Sequence, residues 1–256
     1  PPSPPPPPPP PSPLPPPSPS PPPPPSPPPS VQLDITYYDL KQDHPDMERL
    51  NKQPSITVGE TTGLVSATLG ADGKPVCIGS TDLSNPMPNC TTFNQWFNEV
   101  PGVTKVVTGQ TITLTAYVPG VYSFSSDDFF PIDGMGWGNE WNSHNYHFCS
   151  ELQSTFTYAG TETFRFRGDD DVWVFINSKL VVDLGGLHTP EDSGDFQLSS
   201  HAATLGISVG NTYSLKAFHC ERQKTGSNYM MTTGLALATA PSAPPPSPPP
   251  PSPPLP

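Results

Sequence analysis

The chain has 256 residues, with 23 acidic and 11 basic side chains, a formal net charge of −12 and 43 prolines. An acidic balance of this size excludes nucleic-acid binding through phosphate contacts, which needs clustered Lys and Arg. No apolar run reaches the roughly 20 residues a membrane-spanning helix needs, and the chain starts directly in prolines without a leader, so it reads as a mature form or a fragment.

Residues 1–30 contain only Pro and Ser apart from Leu14. Such a segment cannot build a core. It adopts polyproline II, and at about 3.1 Å per residue it reads as a semi-rigid rod of roughly 90 Å. Residues 31–240 carry all the charge and read as one all-β domain; residues 241–256 return to Pro and Ser, with Ala243 and Leu255, as a second polyproline II segment.

Within the domain, Phe93, Trp96, Phe97 and Val100 fall at helical spacing over Thr92–Val100 and read as packing residues of a short helix. Period-two alternation dominates the rest. In TITLTAYV the residues Ile112, Leu114, Ala116 and Val118 face one way, and VYSFS, LQSTFTY, ETFRFR, VWVFI, KLVVD, TLGISV and TYSLKAF follow as strand candidates. Turns at Pro119-Gly120, Ala159-Gly160, Gly185-Gly186 and Gly210-Asn211 separate them, the signature of a sandwich or barrel with long loops.

The loop FFPIDGMGWGNEWNSHNYHF gathers Gly134, Gly136 and Gly138 with Trp137 and Trp141, whose flat rings can face sugars or pack in the core. His144 and His147 read as strand residues with satisfied ring nitrogens. Asp127 with Asp128, or Asp133 with Glu140, supply paired carboxylates of the kind a glycosidase holds about 5 to 9.5 Å apart. Such pairs in an acidic domain are usually solvated turns, and no nucleophile elbow, P-loop or zinc-protease motif accompanies them, so the chain reads as a non-enzyme.

The stretch GDDDVWVFINSKLVVDLGGLH sets Asp169, Asp170 and Asp171 at the mouth of an apolar β-hairpin. Adjacent carboxylates repel unless water or a cation neutralises them. Successive side chains of an extended strand point to opposite faces, so two neighbours grip one ion only across an unusual backbone; a cis peptide between Asp169 and Asp170 would align them. His188 reads as a loop-fixing residue.

Cys77, Cys90, Cys149 and Cys220 allow three pairings if all are oxidised. Cys77 with Cys90, closing a short turn-rich loop, and Cys149 with Cys220, joining distant strands, are favoured. Zinc competes but lacks any C-x-x-C. Asn89, Cys90 and Thr91 form the N-glycosylation sequon.

The blocks DITYYDLKQDHPDME, TTFNQWFNEVPGV, SSDDFFPIDGMGWGN, FRFRGDDDVWVFINSKLVVDLGGLH and VGNTYSLKAFHCERQKTGSN, in this order, resemble a fibro-slime domain. That is a branch of the protective-antigen-type β-sandwich modules, which also occur in yeast flocculins and as glycosidase inserts. The resemblance implies a Ca2+ site in which Asp169 and Asp170, joined by a cis peptide, hold the ion and the ion meets ligand hydroxyls. It places Asp171 at the flank, and Glu221 where the yeast lectins have an asparagine, with Asn228 nearby. Trp137, Trp141 and Asn228 then become carbohydrate-contact candidates.

The Pro/Ser segments resemble hydroxyproline-rich glycoproteins of plant and green-algal walls, which implies prolyl hydroxylation, O-linked glycans and a place in the cell wall or extracellular matrix. Two functions follow. One is a Ca2+-dependent carbohydrate-binding or adhesion module for matrix or cell-surface glycans. The other is a structural glycoprotein that assembles into fibres with other hydroxyproline-rich glycoproteins, its β-sandwich a bead between rods.

Overall fold

A computed structural model describes residues 1–3, 29–48, 58–79, 90–224 and 226–238. The two expected polyproline segments lie almost wholly or wholly outside these residues, as does Asn89 of the sequon, whose Cys90 and Thr91 are described.

Eleven strands form one antiparallel sheet that folds over on itself: β1 (Ser30–Leu40), β2 (Thr104–Val118), β3 (Val121–Ser126), β4 (Phe148–Thr157), β5 (Thr163–Asp169), β6 (Asp171–Ile176), β7 (Lys179–Leu184), β8 (Glu191–Asp192), β9 (Phe196–Gln197), β10 (Thr212–Glu221) and β11 (Asn228–Thr233). The lateral order is β7-β6-β10-β4-β1-β2-β3-β11-β5-β8, with β9 beside β5. The all-β expectation holds, and two short helices, α1 (Cys90–Phe93) and α2 (Leu198–Leu205), complete the described elements.

The core shows how the sheet closes into a sandwich. Leu152, Val174 and Leu215 from β4, β6 and β10 share one buried cluster with Phe164, Phe166 and Met231 from β5 and β11. Each such side chain contributes roughly 1.5–3 kcal/mol by leaving water. A second cluster covers the outer face of β4, β6 and β10, where Phe93, Trp96 and Phe97 of the α1 segment lie on Cys149, Trp173, Phe175 and Phe218. Strand β6 is therefore buried on both faces along its whole length, which is why VWVFI reads as an unbroken apolar run rather than an alternation. Asn177 (φ 49°) and Ser178 (φ 60°) turn it into β7 through a two-residue left-handed loop.

Register places the ends of the strands. Asp39 pairs with Phe148, Phe148 with Glu221, and Cys220 with Asp171, so these four strands end or begin at one pole. Ser30 starts β1 at the other pole. Leu237 pairs with Phe156 there, and the amide of Ala238 donates to the Thr155 carbonyl. The chain thus enters and leaves the sandwich at the same pole.

Three local expectations are corrected. The helix expected over Thr92–Val100 is only the four residues of α1 followed by turns, although Phe93, Trp96 and Phe97 are buried as anticipated. TLGISV is not a strand: Thr204 and Leu205 end α2, and Gly206 caps it in the left-handed region (φ 68°). The helix LSSHAATL buries only Leu198 and Leu205, so it carries no apolar stripe to announce it. His144 and His147 lie in the loop before β4 rather than in a strand, with ring nitrogens on Asp133 (2.6 Å) and Glu48 (3.0 Å).

Candidate functional site

The three aspartates sit where the chain crosses from β5 in one layer to β6 in the other, and the Asp169–Asp170 peptide bond is cis. Their carboxylates take three different surroundings. Asp169 Oδ1 accepts the Asn228 amide (2.6 Å) and its Oδ2 the Asn228 side-chain Nδ2 (3.2 Å). Asp170 accepts the backbone amides of His188 (3.2 Å) and Arg222 (3.1 Å). Asp171 turns into the protein: its Oδ2 meets Arg222 Nε at 2.6 Å, and its Oδ1 accepts Arg222 Nη2 (3.2 Å) and the Gly186 amide (2.8 Å). The Arg222 guanidinium, wholly buried, lies 4.9 Å from the Trp96 ring.

Charge does not balance here. Glu221 joins the cluster at the end of β10, and all four carboxyls are driven toward the protonated form, chiefly by burial. Asp170 is pushed up to about 8, burial and the neighbouring Asp171 and Asp169 outweighing Arg222. Glu221 is raised well above the usual carboxylate range, with Asp170 and Asp169 adding to the effect of burial. Its Oε1 accepts the Gln223 amide (3.0 Å), but among the described residues its Oε2 is buried without a partner at hydrogen-bond distance, as is Gln223 Nε2. Buried polar groups without partners mark a place where something else belongs.

His219 does not supply the missing charge: burial pushes its pKa down to about 4. Its Nε2 lies 2.8 Å from the Asp169 carbonyl oxygen, so that nitrogen carries the proton and donates. His188 is a fastener, as expected, its ring nitrogens facing the carbonyls of Thr189 (2.8 Å) and Leu184 (3.3 Å).

Asp169, Asp170, Gln223 and Asn228 line the polar side of a cavity of about 260 Å³, and Val58, Leu187 and Pro190 its apolar side. Among the described residues no three His, Cys, Asp or Glu side chains group closely enough to hold a metal alone. An ion here would draw on the two aspartates, amide oxygens and water or ligand hydroxyls. That donor set fits a hard cation of the Ca2+ kind, which takes 6–8 oxygens. The carboxylate oxygens keep lone pairs beyond the N–H groups they accept, and Asn228, donating through Nδ2, has its Oδ1 to offer.

Trp137 and Trp141 stand elsewhere. They line a separate open cleft of about 770 Å³ with Gln42, Asp43 and Glu140. Trp137 donates its amide to Asp39, which is two paired strands away from Glu221, on the order of 10 Å at about 4.8 Å per strand. The structure therefore does not bring the two tryptophans and Asn228 to one place. Lys41 and Lys105 lie 4.3 and 4.0 Å from the Trp137 ring. Of the carboxylate pairs, Asp127 meets Arg167 (3.2 Å), Asp133 holds His144, and Glu140 accepts the Gln42 amide. Cys77 is joined to Cys90 and Cys149 to Cys220.

Asp39 anchors the tryptophan loop. Buried completely, it accepts Asn145 Nδ2 (2.8 Å) and the Trp137 amide, and Gly136 passes so close that a Cβ there would collide with the carboxylate. Its carboxyl is pushed up to about 6, burial prevailing over those two hydrogen bonds. A raised carboxyl stabilises the fold below the unfolded value near 3.8, and that stability is lost as pH rises through about 6. Between pH 4 and 7 the wild type is expected to lose up to about 3 kcal/mol relative to Asp39→Asn, read from paired urea melts across pH.

Arg222, Gln223 and Asp39 were not anticipated as site residues. Only the HCERQ run, with an arginine beside an acid after a cysteine, gave a local hint of the first two.

The sequence pattern of the PA14 domain family matches residues 101–247. In Dictyostelium discoideum, protein psiQ is 40% identical over 193 residues, covering 70% of this chain and 19% of psiQ. Protein psiC of the same organism is 35% identical over 223 residues, covering 81% of this chain and 42% of psiC. The chain thus spans less than half the length of either relative. Among solved structures, a PA14 sugar-binding domain from an RTX adhesin is 10% identical with a TM-score of 0.33, covering 80% of this chain and 90% of that one. The PA14 domain of the MpAFP antifreeze protein is 12% identical with a TM-score of 0.30, covering 80% and 84%.

Proposed function

The chain belongs to the PA14 domain family, and from that premise we propose that it is an extracellular carbohydrate-binding or adhesion module, of the fibro-slime branch, whose acidic pocket takes Ca2+. The observation that carries this reading is the charge imbalance: among the described residues, four buried carboxyls share one buried guanidinium, and Glu221 Oε2 has no partner at hydrogen-bond distance. A bound Ca2+ would supply the missing positive charge and open coordination positions for ligand hydroxyls. Asp169 and Asp170 would hold it, with the Asn228 side-chain oxygen beside them. Arg222 neutralises Asp171 from below and, through its backbone amide, fixes the orientation of Asp170. Val58, Leu187 and Pro190 give the apolar face of a sugar something to rest on.

Two disulfides fit an oxidising, extracellular compartment, and the Pro/Ser segments fit a cell-wall or matrix glycoprotein of green-algal type, with matrix or cell-surface glycans and other hydroxyproline-rich glycoproteins as partners. Those same segments favour a second reading, a fibre-forming structural glycoprotein in which the domain binds no glycan.

Calcium titration of the whole chain by calorimetry, beside thermal melts with and without chelator, tests the first reading. At 100-fold excess over Kd the ion is expected to add about 2.7 kcal/mol, a rise of roughly 5–10 °C in Tm. Asp169→Asn with Asp170→Asn should abolish both heat and stabilisation, and a glycan array should respond only with Ca2+ present. No heat from the wild type together with a blank glycan array would leave the structural reading, whereas a glycan signal indifferent to chelator would keep sugar binding and remove Ca2+ from it.

A further inference from the structure

Trp141 is fully exposed, at 105% of its reference surface, beside the half-buried Trp137 in the 770 Å³ cleft. It is also held in an uncommon backbone: Glu140 (φ 47°) and Trp141 (φ 71°) are successive non-glycine residues in the left-handed region. The Glu140 carboxylate, accepting the Gln42 amide, and the Glu140 carbonyl, accepting Asn142 Nδ2 at 3.5 Å, fasten that turn. A bulky apolar ring kept in water by an unfavourable backbone indicates something that covers it.

The sequence itself carries a matching occupant. Residues 4–28 are Pro and Ser with one Leu, uncharged and so not repelled by an acidic domain. Polyproline II chains expose proline rings and carbonyls free of internal hydrogen bonds, and aromatic-lined grooves with N–H donors dock them. The Trp141 indole N–H is such a donor, and Asp43 and Glu140 can accept from the serine hydroxyls.

Place then decides between the chain's own segment and another's. The segment joins the sandwich at Ser30, whereas the cleft lies by Asp39 and Gln42, past the far end of the 11-residue strand β1. That strand spans about 36 Å. Proline, with φ locked, resists the immediate reversal that docking in cis requires. We propose that the Trp137/Trp141 cleft docks the Pro/Ser segment of a second copy of this chain. The contact is head-to-tail, so it repeats into open filaments rather than closing as a dimer. It is independent of the acidic pocket.

The test uses the full chain and a synthetic peptide of residues 21–30, PPPPPSPPPS. Sedimentation over a concentration series should show open-ended self-association that the peptide reverses, and peptide titration should perturb tryptophan fluorescence. Trp141→Ala, whose circular dichroism should match wild type because the ring touches no core, is expected to weaken both by at least tenfold. Chelator, or Asp169→Asn with Asp170→Asn, should change neither, which separates this contact from the proposed Ca2+ site. A wild type that stays monomeric, a peptide that does not bind, or self-association unchanged in Trp141→Ala overturns the proposal. So does self-association displaced by oligosaccharides and not by peptide, because the cleft is then a glycan site.

Discussion

Arg222→Met is expected to cost about 3–5 kcal/mol and to lower Tm by roughly 10 °C, the usual effect of leaving one member of a buried ion pair alone. Asp171 and Arg222 are both wholly inaccessible, so water cannot replace the guanidinium. Deleting it leaves Asp171 with the Gly186 amide and sets its charge against Asp170 beside it. It also removes the cation over Trp96 and the 3.5 Å hydrogen bond to the Asp46 carbonyl. The double variant Arg222→Met with Asp171→Leu should recover much of the loss, because two apolar side chains owe no desolvation penalty. Thermal melts of these two variants and of Asp171→Leu alone, beside wild type, form the cycle; Arg222→Met as stable as wild type would show that Asp171 takes up a proton in the fold at little cost.

Removing the Cys149–Cys220 disulfide is the second large effect. It joins directly opposed residues of β4 and β10 across a separation of 71 residues. The loop-entropy relation gives about 4 kcal/mol for a loop of that size. The Cys77–Cys90 bridge, with a separation of 13, is worth about 3 kcal/mol on the same relation. Both cysteines of the longer bridge are buried among Phe97, Trp173 and Phe218, so replacement by alanine adds cavities to the lost constraint. Cys149→Ala with Cys220→Ala is therefore expected to lower the urea midpoint more than Cys77→Ala with Cys90→Ala. The reverse order would place the greater part of the stability in the segment over the outer face of β6.

The two effects meet at one structural point. Cys220, Glu221 and Arg222 are consecutive at the end of β10, and Cys220 pairs with Asp171 at the start of β6. Stability and the candidate cation site are built on the same strand end. Under the proposed Ca2+ reading, a folded disulfide-free variant should therefore also bind the ion less tightly, because the Arg222 amide and the Gln223 carboxamide lose their fixed place beside Asp170.

What the sequence determined by itself was local. Alternation in TITLTAYV and ETFRFR, the apolar run VWVFI and turn residues such as Asn177-Ser178 are short-range signals, and they announced an all-β chain and its central hairpin. Three adjacent aspartates announced an electrostatic problem because like charges next to each other need an answer wherever the chain goes. Strands β1 and β11 escaped the periodicity for different reasons: the last four residues of β1 are buried in succession beneath two covers, and NYMMTT is short and half polar. Only the tertiary structure decided how the aspartates divide, with Asp171 given to Arg222 and Asp169 and Asp170 left to the pocket. It alone separated Trp137 and Trp141 from Asn228, revealed Asp39 as the anchor of their loop, and put both chain exits at the pole away from the site. These outcomes depend on strand register between residues 50 to 180 positions apart, as in the contacts of Asp170 with Arg222 and of Asp46 with Arg222. Register is set by which faces bury together, a property of the whole sandwich that no window of sequence contains.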